Sequence, residues 1–92
     1  MDIAKSASTY DNWLLEIFPS ASQNHWPNAL ALVHKVEHLR WMLHEVQEFI
    51  QRDNHSKAVR WLGFVEGSMV QLGLVPLAKI QFYDVQSAIE NS

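Results

Sequence analysis

The residues best suited to chemistry are His34, Glu37 and His38, which stand in the order His34-Lys-Val-Glu-His38. On a helix, positions i and i+4 share a face. Two imidazoles there could hold one zinc ion while the carboxylate between them acts as general base. Hydrolysis at such a centre needs a third ligand, usually acidic and from another helix, and a cleft for the substrate. A chain of 92 residues has little room for that cleft. Both histidines also lie off the apolar stripe of their helix. The residues therefore favour a polar or partner-facing helix surface, with no metal, no cofactor and no catalytic residue.

Other routes to catalysis are weaker. The chain has no cysteine, no GxSxG elbow and no phosphate-cradling glycine loop. Ser68 has no evident histidine base. Glu45 and Glu48 are three apart on an amphipathic helix, where solvation explains them, and Asp84 reads as a helix-surface charge. A protein-binding face is the better expectation. Trp41 lies one heptad after His34, opposite the apolar stripe, and with Glu37, Arg40 and Glu45 it forms the expected partner-binding set. Tryptophan and arginine are favoured anchors at interfaces. The alternative is that the first helix folds over Trp41 and buries it. Lys57, Arg60, Trp61 and Phe64 make a second cation–aromatic group, read either as a structural cluster at the end of a hairpin or as a partner-facing hot spot. Whether Trp26 and the loop before it join the Trp41 face is open from sequence.

The elements that must position these residues are helices. Tyr10, Trp13, Leu14, Ile17 and Phe18 give one face of a short helix, capped by Ser8 or Thr9 and ended by Pro19. Residues 1–6 are expected to fray. Pro19–Trp26 reads as a loop. Pro27 suits the first turn of a second helix running to about Arg52. Its stripe is Ala29, Leu32, Val36, Leu39, Leu43, Val46 and Ile50, a heptad repeat. Asp53-Asn54-His55 breaks it. Ser56 caps a third helix with the stripe Ala58, Leu62, Val65, Met69 and Leu72. Two stripes of one period joined by a short turn predict an antiparallel helical hairpin. Gly73 ends the third helix, and a fourth, Pro76–Ile89, presents Ala78, Phe82, Val85 and Ile89. The fold class is all-α: a small four-helix protein, residues 1–92, built on a long antiparallel hairpin.

Two features of these helices suggest a second chain. Gly63 and Gly67 each cost about 1 kcal/mol relative to alanine in a helix interior. Close approach of another helix along Val59, Gly63, Gly67 and Val70 would offset that, so Gly63 and Gly67 are the candidate oligomer contact. A helix from Pro27 to Arg52 would also be about 39 Å long, against about 32 Å for a globule of this size. Helix one, helix four or a second copy of the chain, as a homodimer, would cover the excess.

Bulk properties narrow the partner. The chain is 48% hydrophobic with a formal charge of −3. Lys and Arg are scattered singly, which disfavours direct nucleic-acid binding. No apolar run reaches the roughly 20 residues of a membrane span, and no signal-peptide run is visible. A cytoplasmic location fits the lack of cysteine.

The string Lys57–Gly67, KAVRWLGFVEG, resembles a recurrent pattern in small bacteriophage proteins, KAxRWLGFxQG followed by a later glycine and a short helix. Lys57, Ala58, Arg60, Trp61, Leu62, Gly63, Phe64 and Gly67 match, and Gly73 and the Pro76 helix fit the sequel. Glu66 stands where Gln is usual, and VPLAKIQFYDV departs from the acidic segment of that family. The resemblance covers about a third of the chain. It implies a phage or prophage origin, hence a bacterial host cytoplasm, and a helical hairpin. It carries over no functional residue. Small acidic helical phage proteins include inhibitors of CRISPR effectors and other host defences. By that analogy the expected function is steric inhibition of a host protein complex, with a homo-oligomeric scaffold module as the alternative.

Overall fold

The hairpin predicted by the paired stripes is present. The computed structural model describes residues 2–90, with side chains described through Tyr83. Four helices follow in order: α1 (Ile3–Ile17), α2 (Leu32–Gln51), α3 (His55–Gln71) and α4 (Leu77–Glu90). No strand occurs among the described residues. Phe49, late in α2, meets Trp61, early in α3, edge-on at 4.9 Å. Leu39, early in α2, lines a hollow together with Leu72, just past the end of α3. The two helices are therefore antiparallel. Leu43, Val46, Val65 and Met69 are fully buried between the arms and α1. Each is worth about 1.5–3 kcal/mol in burial.

Both arms end in the same way. After α2, Asp53 N–H bonds Ile50 O at 3.1 Å and Asn54 N–H bonds Phe49 O at 2.8 Å. After α3, Gly73 N–H bonds Val70 O at 3.0 Å and Leu74 N–H bonds Met69 O at 2.9 Å. These are Schellman motifs, which need a left-handed residue at C′. Gly73 supplies it at φ 73°, as expected, whereas after α2 the residue is Asp53 at φ 61°. Asn54, not Ser56, caps α3, accepting the Lys57 N–H at 3.4 Å.

Two helix starts differ from expectation. α1 begins at Ile3, where fraying was expected, because Asp2 caps it by accepting the Lys5 N–H at 3.0 Å. The added turns are held by burial, since Ser6 and Ala7 are fully enclosed. α2 begins at Leu32, not Pro27. Pro27 and Asn28 instead form a turn closed by Ala29 N–H on Trp26 O at 3.1 Å. Leu32 is accordingly 43% exposed and Leu30 is 90% exposed. The shorter α2 is about 30 Å long, so the length mismatch that favoured a dimer disappears.

α1 lies across both arms. Asp11 pairs with Arg40 of α2, and the Tyr10 hydroxyl donates to Glu66 of α3. α4 is fastened to α1 by an aromatic group. Tyr83 packs against Tyr10 and Trp13, each at 5.7 Å, its hydroxyl sits 3.0 Å from that of Thr9, and Lys79 Nζ lies 4.1 Å over the Trp13 ring. Ile80 is buried, while Ala78 and Phe82 of the expected α4 face are exposed. The side chains of Asp84, Val85 and Ile89 lie outside the described residues.

Among the described residues, none packs against Gly63 or Gly67. Both are exposed, and a Cβ placed on either meets nothing within 4 Å. No described helix is long and apolar enough to cross a membrane.

Candidate binding groove

The cluster His34-Lys-Val-Glu-His38 works as a clamp on the segment between α1 and α2. Glu37 Oε2 accepts the Ser22 N–H at 2.8 Å. Its Oε1 accepts the Trp26 indole N–H at 3.0 Å and the Asn24 side-chain amide at 3.3 Å. These donors hold the Glu37 carboxyl below its ordinary value, Ser22 first, then Asn24 and Trp26, with a smaller contribution from His34. His38 Nδ1 accepts the Trp26 backbone N–H at 3.0 Å. That bond places the proton of the neutral ring on Nε2. Burial, followed by the nearby His25, holds His38 below its ordinary value.

Ring stacking completes the clamp. His25 lies on Trp41 at 4.2 Å and 26°. Trp26 lies on His34 at 4.4 Å and 16°. Trp41 is thus covered by the loop through His25. Trp41 also meets Trp61 at 5.8 Å, joining the loop to α3. Lys57 Nζ sits 4.8 Å over Phe49 and 5.5 Å over Trp61. The Lys57–Trp61 group is therefore the cation–aromatic cluster at the hairpin end, while Arg60 and Phe64 stay exposed.

The remaining expected site residues divide. Arg40 is buried rather than presented. Its Nε and Nη2 donate to the two oxygens of Asp11 at 2.7 and 3.1 Å, and its Nη1 donates to Ala21 O at 2.5 Å. Its fork thus ties α1 and the start of the loop to α2. Glu37 is occupied by the clamp. Glu45 is half-buried one turn beyond Trp41. Among the described residues no group of three or more His, Asp or Glu could hold a metal, and the bonds to Glu37 and His38 Nδ1 account for this motif structurally.

The clamp creates a groove between the loop and α3. One hollow, of about 240 Å³, is lined by Trp26, Lys35, Leu39, Ser68 and Leu72 among others. A second, of about 370 Å³, is lined by His25, Trp41, Met42, Arg60 and Trp61 among others. Pro27, His38 and Phe64 line both, so the hollows are adjacent. Phe64 is 59% exposed and Trp26 is 40% exposed. Sequence reasoning placed Trp41 and Phe64 on separate faces. The loop joins them, and nothing in the periodicity of α2 or α3 announces that.

Comparison with protein-family models, with curated proteins and with solved structures gives no match to this chain.

Proposed function

We propose that this chain is a non-catalytic protein-binding module, a phage-type accessory protein that occupies a surface of a host complex and blocks it sterically. The observation that carries the reading is the groove: an aromatic trough that the chain builds with its own loop and leaves open. Exposed large aromatics in a shaped depression are the usual anchors of protein recognition. The phage assignment, and a CRISPR or other defence effector as the target, rest on the KAVRWLGFVEG resemblance and on class analogy. Affinity purification from the host with wild-type protein and with Phe64→Ala tests it. A host complex should be recovered by the first, lost with the second, and inhibited in its own assay. Recovery of the chain alone from hosts that carry such complexes would remove the proposal.

A homo-oligomeric scaffold is the second reading, favoured by Gly63 and Gly67. They stand open on a face that also exposes Val59 at 54%. Gly63→Leu would then abolish a dimer seen by light scattering without unfolding the monomer. A monomeric wild-type mass would remove this reading.

A further inference from the structure

We infer that the groove takes an acidic amphipathic helical segment of its partner; this rests on the protein-binding reading above. Charge is the first argument. The chain carries ten Asp and Glu, yet among the described residues none lines either hollow. Each half instead has one fixed cation: Lys35 in the first and Arg60 in the second. Glu37, which holds the wall residue Trp26 through its indole N–H, already receives three N–H donors. An overall acidic protein thus presents a locally basic, aromatic trough, and the complementary ligand is apolar with carboxylates on its flanks.

Shape is the second argument. The walls are side chains of two antiparallel helices and a loop, with no strand edge to add to. Such a trough suits a helix, which satisfies its own backbone and lays an apolar face into the depression. Two hollows in series, divided at Phe64 and His38, would seat successive anchors of that face. Two cations are too few for a phosphate backbone, which argues against a nucleic-acid strand in the same place.

The test is selection of random peptides of about 15 residues, roughly four helical turns, displayed against the full-length chain. Enriched sequences should interleave Asp or Glu with Leu, Phe or Trp at helical spacing. Their affinity should fall about tenfold or more in Phe64→Ala and in Arg60→Glu, and should weaken with added salt. These positions are exposed, and circular dichroism of each variant establishes that it stays folded. Enrichment of basic peptides, no enrichment, or binding indifferent to Phe64 would overturn the inference. So would self-association of the chain through Phe64, which would make a second copy the occupant. A host complex held through Phe64 without any peptide enrichment would leave the protein-binding reading standing and sink this one alone.

Discussion

The backbone N–H of Trp26 donates to Nδ1 of His38 at 3.0 Å. The loop that forms one wall of the groove is therefore pinned through an acceptor that titrates. Protonating His38 turns Nδ1 from acceptor into donor and breaks the bond. The folded protein holds this ring below the ordinary value of 6.5, through burial first and His25 second. The unfolded chain takes up the proton earlier, so stability is full above pH 6.5 and declines as pH falls from there through the lower folded value. The protection factor of the Trp26 amide, its exchange relative to the intrinsic rate at each pH, should fall across that window. In His38→Gln, which offers an acceptor that does not titrate, the fall should vanish. Glu37 adds a second step. Its contribution is present above 4.5 and is lost as pH falls through its depressed folded value.

Removing the Arg40 fork should be the most damaging polar substitution. Arg40 and Asp11 side chains are 10% and 16% exposed. Arg40→Ala leaves Asp11 and Ala21 O without their donors and should lower stability by about 3 kcal/mol. Arg40→Lys should recover only part of that, because one ammonium cannot reproduce the bidentate geometry. Urea midpoints of the two variants check both statements.

Gly63→Ala and Gly67→Ala should each raise stability by about 1 kcal/mol. A new Cβ meets nothing at either site, so the gain in helix propensity is unopposed. Thermal melts of the single variants measure it. Should Gly67→Ala melt lower than wild type, a contact to another chain is being lost.

Asp53→Gly should also stabilise, by about 0.5–1 kcal/mol. The left-handed conformation at φ 61° is strained for a residue with a side chain and free for glycine. The Asp53–His55 pair at 3.3 Å is exposed, so its loss offsets little. A denaturant midpoint above wild type checks the direction.

Much of this architecture is legible in the residues. The 3-4 spacing of Val36, Leu39, Leu43 and Val46, repeated in Ala58, Leu62, Val65 and Met69, fixes two buried stripes and their pairing. Gly73 reads correctly as a helix end because its role is local. The misreadings involve distant partners. Arg40 looks like a surface anchor until Asp11, 29 positions earlier, is placed beside it. Glu37 looks like an open partner-binding carboxylate because its partners, the Ser22 backbone N–H and the Asn24 and Trp26 side chains, have no sequence signature. Pro27 is compatible with a helix start, but the clamp brings the chain across α2 and makes it a turn. Local preference yields there to tertiary contact.

The position of α1 across both arms has a kinetic consequence. The α2–α3 connection is short and its contacts are near in sequence, whereas the Tyr10–Glu66 bond spans 56 positions. Nearby contacts close first because they lose less loop entropy. The expected order is an early hairpin, with α1 seating on it after the rate-limiting step. Tyr10→Phe and Leu14→Ala should leave the refolding rate almost unchanged and hasten unfolding in stopped-flow chevrons, whereas Val65→Ala should slow refolding.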